Sequence, residues 1–353
     1  MEWFRLEATG VRRGTQRILL KRFENYEDIF KLGKSYLTMA MKIDNDEVEK
    51  IYLSKDIDLL SELKKLEDSG VGVLFLKSKN YPVELKNIAQ PPIFIYYKGN
   101  IDLLKGRKIA VVGTRKATTY GKITCEKFVR ELVENSITTV SGLALGIDGV
   151  CHKITLDNNG KTIAVVGSGL DMIYPSRNEK LWKRIERYGL LLSEFPLGTE
   201  PFTYNFPLRN RIIVGLSRGV LVVESQKKGG SLITAELALE EGRDVFAVPG
   251  DIFSPCSEGT NMLIKNSQAK LVSDVNDILS EYGWESDKLD ITKKLNLTEH
   301  EIKIYNVLDR EKNLDEIILE SSMKAGEILS ILMELEVKKI ICSVPGGKYR
   351  RRV

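Results

Sequence analysis

The chain has 353 residues, with 53 Lys and Arg against 49 Asp and Glu, so its formal net charge is only +4. This length exceeds that of one ordinary domain, and a composition with 42% hydrophobic and 29% charged residues excludes an intrinsically disordered chain. The small net charge excludes a histone-like polycation, so a site for a polyanion must depend on where the basic residues lie.

Cysteine and histidine are too few, and wrongly spaced, for several kinds of chemistry. The chain has 4 Cys without a Cys-x-x-Cys pair, and 2 His, His152 and His300. These counts argue against a disulfide framework, a zinc site and a Ser-His-Asp triad. The apolar runs are too short to span a membrane, and the first residues lack the layout of a signal peptide. We therefore expect a cytoplasmic protein with no cofactor, no metal and no membrane partner.

The first part of the chain predicts a small helical domain at residues 1–66. Apolar residues recur at helical spacing over residues 26–40 and 56–66. From residue 67 the pattern changes, and residues 71–76 and 93–97 read as strands that extend the sheet of the next domain.

Residues 67–283 predict an α/β domain with a Rossmann-like parallel sheet and helices on both faces. Its strands are predicted at 109–112, 137–140, 162–166, 190–192, 220–223 and 245–248. Helices are predicted between them at 119–134, 146–157, 177–187, 209–217 and 231–241. Because strands alternate with helices, right-handed crossovers place the carboxyl end of every strand at the same edge of the sheet.

The end of the chain predicts a polar linker at residues 284–297 and a winged-helix domain at residues 298–353. A capping box opens the first of three helices at Thr298, and two strands flank Pro345-Gly346-Gly347. This domain has ten basic and ten acidic side chains, and the helix predicted at 324–336 has one Lys and three Glu. Such a helix favours contact with protein over reading of duplex DNA, although the basic tail at 348–352 is suited to phosphate contacts.

Glycine-rich turns and arginines follow the predicted strands at their carboxyl ends. Glycine lets a phosphate approach the backbone, a turn into a helix exposes N–H groups, and a guanidinium matches phosphate oxygens. The segments are Gly113-Thr114-Arg115, Ser141-Gly142-Leu143-Ala144, Gly167-Ser168-Gly169, Gly229-Gly230-Ser231 and Phe206-Pro207-Leu208-Arg209-Asn210-Arg211. Together they predict a ligand that carries phosphate.

The same turns lack the signatures of nucleotide cofactors. Neither Gly-x-Gly-x-x-Gly nor Gly-x-x-x-x-Gly-Lys-Ser/Thr occurs, which argues against a dinucleotide and against an ATP-hydrolysing P-loop. The acids near the strand ends, Asp148, Asp171, Glu194, Glu224 and Glu236, are interpreted as structural, and His152 as a helix-packing residue. Tyr174 and Phe206 lie in predicted loops, where they either pack in the core or stack on bases of a single strand.

In order along the chain, these segments resemble the DNA processing protein A family, also called DprA or Smf. The resemblance includes Ile147-Asp148 with His152, Leu170 to Pro175 with Asn178, Ser193 to Gly198 and Phe246 to Gly250. The resemblance is strong over residues 80–280. It is specific, because a match to so many motifs in the same order is not expected by chance. The C-terminal domain is similar to the winged helix that many members carry, whereas residues 1–66 stand where a sterile-alpha-motif-like domain is usual.

The resemblance implies a protein without catalytic activity that binds single-stranded DNA whatever its sequence and protects it. It further implies a homodimer formed through the Rossmann-like domain, and loading of the RecA recombinase during natural transformation, a process of homologous recombination in competent bacteria. The residues expected to contact nucleic acid are Gly113, Thr114, Arg115, Ser141, Gly142, Leu143, Ala144, Gly167, Ser168, Gly169, Tyr174, Asn178, Phe206, Arg209, Asn210, Arg211, Gly230 and Ser231.

An enzyme of nucleotide metabolism is the alternative. The fold is similar to that of nucleoside-monophosphate phosphoribohydrolases, which use a Gly-Gly turn before a helix with a nearby Glu. Gly229-Gly230-Ser231 with Glu236 matches that pattern only loosely. The full Pro-Gly-Gly-x-Gly-Thr-x-x-Glu motif is absent from the sequence.

Overall fold

The structure is a computed structural model that describes residues 1–284, 297–308, 311–338, 340–344 and 346–351. These residues form two compact units, residues 1–281 and residues 282–353. Residues 285–296 of the predicted linker, Asp309 at the predicted end of a helix, Pro345 of the predicted hairpin turn and Arg352 of the basic tail lie outside the described residues.

The N-terminal residues form short helices: α1 (Phe4–Ala8), α2 (Arg13–Arg22), α3 (Asn45–Leu53) and α4 (Leu59–Asp68). Between α2 and α3 the helix expected over residues 26–40 is divided into a 3-10 helix (Tyr26–Leu32), a single α turn (Gly33–Ser35) and a π-helix (Tyr36–Ala40). The division falls at Gly33, whose φ of 75° lies outside the range of a right-handed helix.

The first unit is built on a nine-stranded sheet in the order β1-β2-β6-β5-β4-β3-β7-β8-β9. The strands are β1 (Gly72–Phe75), β2 (Phe94–Gly99), β3 (Lys108–Val112), β4 (Thr138–Ser141), β5 (Thr162–Val166), β6 (Leu190–Ser193), β7 (Gly219–Val222), β8 (Asp244–Ala247) and β9 (Lys270–Leu271). Pairing is parallel from β6 to β9, and antiparallel where β2 joins β1 and β6. The predicted mostly parallel, Rossmann-like sheet is confirmed, and β1 and β2 extend it as expected.

Helices follow the strands as expected from the alternating pattern. They are α5 (Val83–Lys86), α6 (Thr119–Glu134), α7 (Ile147–Asp157), α8 (Glu179–Tyr188), α9 (Asn205–Leu216), α10 (Gly230–Glu240), α11 (Glu258–Lys265) and α12 (Asn276–Glu281). The main difference from the prediction is that α9 begins at Asn205 rather than at residue 209. Pro207 is accommodated because the first turn of a helix has no internal acceptor for its N–H groups. Phe206 therefore lies on a helix and not in a loop.

The core lies on both faces of the sheet. Consecutive residues of β5 point to opposite sides: Ile163 and Val165 join one hydrophobic cluster, and Ala164 and Val166 join the other. The second cluster also contains side chains from α1 and α2, such as Phe4 and Leu19. The N-terminal helices thus cover one face of the sheet.

The second unit contains α13 (Glu299–Val307), α14 (Leu314–Ser321) and α15 (Ala325–Val337), with strands β10 (Lys312–Asn313), β11 (Ile341–Val344) and β12 (Lys348–Arg351). The strands form an antiparallel sheet in the order β10-β12-β11. The predicted capping box is present, because Thr298 and Glu301 bond each other's backbone N–H groups.

No helix within the described parts of the chain is both long and apolar enough to cross a membrane.

Candidate functional site

A cleft of about 610 Å³ opens at the carboxyl edge of the sheet. Strand β3 lies between β4 and β7. After β3 the chain adds β4, β5 and β6 on one side of it, and then crosses back to add β7 on the other side. The loops after β3 and β7 therefore separate at this point, which is where open α/β sheets bind ligands. The cleft is lined by residues from the loops after β3, β4, β5, β6 and β7 and from helices α7, α9 and α10, including Gly113, Thr114, Arg115, Lys116, Ala144, Asp148, Tyr174, Phe206, Arg209, Asn210, Gly229, Gly230 and Ser231.

Arg115 is a cation that is free to bind a ligand at this cleft. Its side chain is exposed, and it forms no hydrogen bond or ion pair with any residue that the structure describes. Its guanidinium lies 5.5 Å from the centre of the Phe206 ring, and the Phe206 ring stacks on Tyr174 with the ring centres 5.7 Å apart. One face of the cleft thus combines a cation with a stacked aromatic pair, of which Tyr174 is 44% exposed.

Gly167 makes room for this aromatic pair. A Cβ at Gly167 would lie 3.0 Å from the Phe206 ring. The carbonyl of Gly167 accepts a hydrogen bond from the Asn205 side chain at 3.0 Å, which fixes the start of α9. A small cavity of about 60 Å³ lies between Arg115, Phe206 and the turn after β5.

The turn between β4 and α7 does not offer its amides as the sequence predicts. The Asp148 carboxylate, in the first turn of α7, accepts hydrogen bonds from the backbone N–H groups of Gly142 at 3.2 Å and Ala144 at 3.4 Å. Ser141 is also engaged, since its hydroxyl donates to the carbonyl of Val111 at 2.7 Å. An internal anion therefore occupies the position at which a phosphate was expected, and the expected role of this turn is corrected.

Arg209 is a structural residue and not a free phosphate ligand. It is 4% exposed, and its guanidinium donates to the carbonyl of Gly142 at 2.7 Å and to that of Val165. Burial lowers the pKa of Arg209 to about 10, and the neighbouring Asp148 acts in the opposite direction. Its charge still contributes to the potential of the cleft, but the sequence-based expectation of a free guanidinium is wrong.

Arg211 does not face the cleft. Residues two apart on a helix point in nearly opposite directions, so Arg209 and Arg211 lie on different faces of α9. Arg211 donates to the buried carboxylate of Glu194, which also lies within 4 Å of Arg13 and Arg17 of α2. This cluster joins α9 to the N-terminal helices, and the expectation that Arg211 contacts the ligand is corrected.

The start of α10 supplies the helix end that faces the cleft. Gly229, Gly230 and Ser231 line the cleft, and the first turn of α10 carries no acidic residue. A Cβ at Gly230 would meet open space, so the backbone is accessible from the cleft. The Ser231 hydroxyl donates to that of Ser225 at 2.8 Å, and the Gly229 N–H donates to the carbonyl of Gln226 at 2.9 Å. The N–H groups of Gly230 and Ser231 and the helix dipole are the features available to an anion.

The remaining predicted residues mainly hold the loops in place. A Cβ at Gly113 would lie 2.6 Å from Ile147, and the Thr114 hydroxyl accepts from the backbone N–H of Lys116 at 3.2 Å. The Asn178 side chain donates to the carbonyls of Leu143 and Ala144. The buried Ser168, with Gly169, shapes the turn after β5; its hydroxyl donates to the carbonyl of Met172 at 3.0 Å.

Sequence reasoning missed several residues at this edge. Lys116 lines the cleft directly after Arg115, and its position in the same motif was the available signal. Pro201 and Thr203 also line the cleft, and next to them Phe202 and Tyr204 stack with ring centres 5.4 Å apart. Both aromatic rings are exposed.

Glu224 and His152 are bonded within the protein, whereas Glu236 is not placed at the cleft. Glu224 is buried and accepts from the backbone and hydroxyl of Thr118, whereas Glu236 is exposed and is not among the described residues that line the cleft. His152 is fully buried against Thr162, and burial lowers its pKa to about 3. Within the described ranges, no three His, Cys, Asp or Glu side chains are placed to share a metal ion.

Comparisons with known proteins agree with these motifs. The family model described as DNA recombination-mediator protein A matches residues 72–283. The DNA processing protein DprA of Streptococcus pneumoniae is 44% identical over 238 residues, which cover 67% of this chain and 80% of that protein.

Two solved structures are also similar. The X-ray structure of DprA from Streptococcus pneumoniae has a TM-score of 0.70 and 39% identity, covering 80% of this chain and 98% of the other. A structure of DNA processing protein A from Helicobacter pylori, presented for its unique single-stranded DNA binding mode, has a TM-score of 0.55 and 31% identity. That match covers 60% of this chain and 95% of the other.

Proposed function

This chain belongs to the DNA recombination-mediator protein A family, and on that premise we propose that its cleft binds single-stranded DNA independently of sequence. The observation that carries this proposal is the position of Arg115, an exposed guanidinium beside the stacked pair of Phe206 and Tyr174. A cation next to aromatic faces is suited to a flexible strand, because the cation binds a phosphate while a base stacks.

Sequence independence follows from the groups that the cleft offers. Every base has a π-face, so stacking on Phe206 or Tyr174 does not distinguish one base from another. The helix end of α10 and the charges of Arg115 and Lys116 act on phosphates, which carry no sequence information. The buried Arg209 adds to the positive potential from below.

We propose a binding role without catalysis. Asp148 is bonded to the amides of its own turn, and Glu224 is bonded to Thr118. The alternative phosphoribohydrolase needs an acid in the cleft beside the Gly229-Gly230 turn, and Glu236 lies outside the lining residues that are described. No observation therefore favours the enzyme as a second candidate.

Family membership also supports a proposal about partners. We propose that the protein acts as a homodimer through its Rossmann-like domain, protects incoming DNA and loads the RecA recombinase onto it during natural transformation. We propose three domains for these roles: residues 1–66, residues 67–283 and residues 298–353. A linker at residues 284–297 joins the second domain to the third.

The C-terminal unit is proposed to be a winged helix that contacts protein. Three helices followed by a β-hairpin have the order of that fold. The outer side of α15 carries exposed Leu329, Met333 and Val337 at helical spacing, where a helix that reads DNA would carry basic residues.

The test is binding of labelled single-stranded and double-stranded DNA by Arg115→Ala across a salt series. A charged hydrogen bond contributes about 1.5–3 kcal/mol, so single-strand affinity is expected to fall about 10- to 100-fold. The magnitude of the slope of log K against log[salt] is expected to decrease by about 0.7, the value for one phosphate contact to a single strand. Because Arg115 is exposed and unpaired, the thermal unfolding temperature is expected to stay unchanged.

The matched control is Arg187→Ala, which removes an exposed arginine from the last turn of α8, at the other end of that helix from the Tyr174 loop. It is expected to bind as the wild type does. Equal affinity of Arg115→Ala and Arg187→Ala would contradict the proposed site.

A further inference from the structure

A second groove, outside the cleft, has five cations among its ten described lining residues. It has a volume of about 430 Å³, and its charged lining consists of Lys122, Lys153, Arg177, Lys180 and Arg184. These side chains come from α6, α7, α8 and the 3-10 turn before α8 (Ser176–Asn178), so the fold brings them together from separate parts of the sequence. No Asp or Glu is among the described residues that line it. We call this surface the basic groove.

Most of these cations are not neutralised by the protein. Arg184 forms an ion pair with Asp157 at 2.7 Å. The other four form no ion pair with the residues that the structure describes, even though Glu179 is nearby on α8, because Glu179 pairs with Lys183 at 2.7 Å. Unpaired like charges that face one groove produce a positive potential that favours a polyanion.

The basic groove is separated from the cleft by a single turn of backbone. Ala144 lines the cleft and Gly146 lines the basic groove, so their Cα atoms are at most about 7.6 Å apart. Asn178 lines the groove and donates to the carbonyls of Leu143 at 3.0 Å and Ala144 at 3.2 Å. This bonding holds the turn in place as a low wall between the two surfaces.

Gly146 keeps this wall thin. Its φ is +78°, and a Cβ at this position would lie 2.2 Å from the carbonyl oxygen of Thr114 and 2.7 Å from that of Arg115. The backbone that carries Arg115 therefore packs directly against the backbone at the edge of the basic groove. A phosphate bound at Arg115 and one bound in the groove would be near neighbours.

We propose that the basic groove holds the phosphates of the same DNA strand after it leaves the cleft over the turn of residues 144–146. This proposal rests on the proposed function of the cleft. The groove offers cations over an apolar floor of Val150 and Leu181 and contains no aromatic ring among its described lining residues. It therefore binds the backbone of the strand, while Phe206 and Tyr174 in the cleft contact bases.

The test measures how loss of positive charge from the basic groove changes the affinity of the full-length protein for short and for long DNA strands. One variant carries Lys122→Gln, Lys153→Gln and Lys180→Gln, and the matched control carries Lys21→Gln, Lys64→Gln and Lys86→Gln, three exposed lysines away from both surfaces. Each is titrated with labelled oligothymidylates of about 4 and about 16 nucleotides, which span the site sizes of single-strand binding folds. Circular dichroism checks that all variants are folded.

The groove variant is expected to lose about tenfold in affinity for the long strand, since each exposed ion pair contributes a few-fold. Its salt dependence for that strand is expected to decrease by about 2, the sum for three phosphate contacts to a single strand. The groove variant is expected to lose less affinity for the short strand than for the long one, because a short strand that occupies the cleft has few phosphates left to reach the groove.

Two results would overturn the proposal. Either the groove variant binds the long strand as tightly as the control, or it loses the short and long strands equally, which would indicate a general effect of charge. Failure of the wild type to bind any single strand, or full binding by Arg115→Ala, would instead refute the function proposed for the cleft.

Discussion

Replacement of Arg209 by methionine tests whether this arginine supports the site or binds the ligand. The buried guanidinium donates to the carbonyls of Gly142 and Val165 and lies near Asp148. Arg209→Met keeps much of the side-chain volume but leaves a buried carboxylate without its cation. The buried carbonyls of Gly142 and Val165 would also lose their donor, at about 1–3 kcal/mol each, a large part of the roughly 5–15 kcal/mol that stabilises a domain.

The free energy of unfolding is measured by urea denaturation, with the fluorescence of the buried Trp182 as one probe. Asp148→Asn and the double variant complete a thermodynamic cycle. Coupling of about 0.5–3 kcal/mol is expected, because both residues belong to one hydrogen-bond network through Gly142. Burial raises the pKa of Asp148 above its ordinary value, and in Arg209→Met this pKa rises further because the nearby cation is gone. Protonation then removes the unpaired charge, so the deficit relative to the wild type shrinks as the pH falls.

Arg115→Ala provides the contrast, because an exposed side chain without partners changes stability by less than about 0.5 kcal/mol. If Arg209→Met loses affinity for single-stranded DNA while its unfolding free energy stays within about 0.5 kcal/mol of the wild type, the reasoning is refuted. Arg209 would then be a ligand-binding residue whose bonds to Gly142 and Val165 are dispensable.

Two further predictions concern the aromatic pair and the buried histidine. Phe206→Leu is expected to weaken single-strand binding by about 1–3 kcal/mol, the value for one stacked base, in fluorescence anisotropy titrations; equal affinity would exclude stacking on this ring. The pKa of His152 is lowered by burial to about 3, so the unfolded chain takes up a proton below about pH 6.5 while the folded chain does not. Stability is therefore fully present above pH 6.5 and is expected to fall by about 1.4 kcal/mol per pH unit below it. His152→Gln is expected to remove that part of the slope in urea denaturation at pH 7 and pH 5, and identical slopes for both proteins would contradict the assignment.

The corrected roles of the arginines change how the site is understood. Among the described residues that line the cleft, Arg115 has the one free guanidinium, and it lies near the buried Arg209 and Asp148. Arg209 and Asp148 each bond the backbone of Gly142 and so fix the turn after β4. Through Gly146, that turn packs against the backbone next to Arg115. Arg211 belongs to a separate cluster that joins α9 to the N-terminal helices through Glu194. A substitution of Arg211 would therefore alter the packing of α9 against the N-terminal helices and would leave the cleft unchanged.

The sequence alone determined the α/β class, the positions of the strands and the edge at which the site lies. These features depend on local patterns: buried strands read as short apolar runs, helices repeat every 3.6 residues, and parallel strands end at one edge. The ordered motifs from Gly113 to Gly250 also identified the family, which the comparisons confirm.

Only the tertiary structure decided which of the predicted groups are free. Arg209 bonds Gly142, which is 67 residues away in the chain. Arg211 lies on a different face of the same helix and bonds Glu194, which follows β6. The Asp148 carboxylate accepts hydrogen bonds from amides of the turn after β4, so these amides are not available to an anion. The first turn of α10 carries no acidic residue. The basic groove likewise arises from three helices that no local pattern connects. Composition shows that a charged group is present, but its partners are set by packing between distant segments, and in a low-dielectric interior those partners determine what the group can bind.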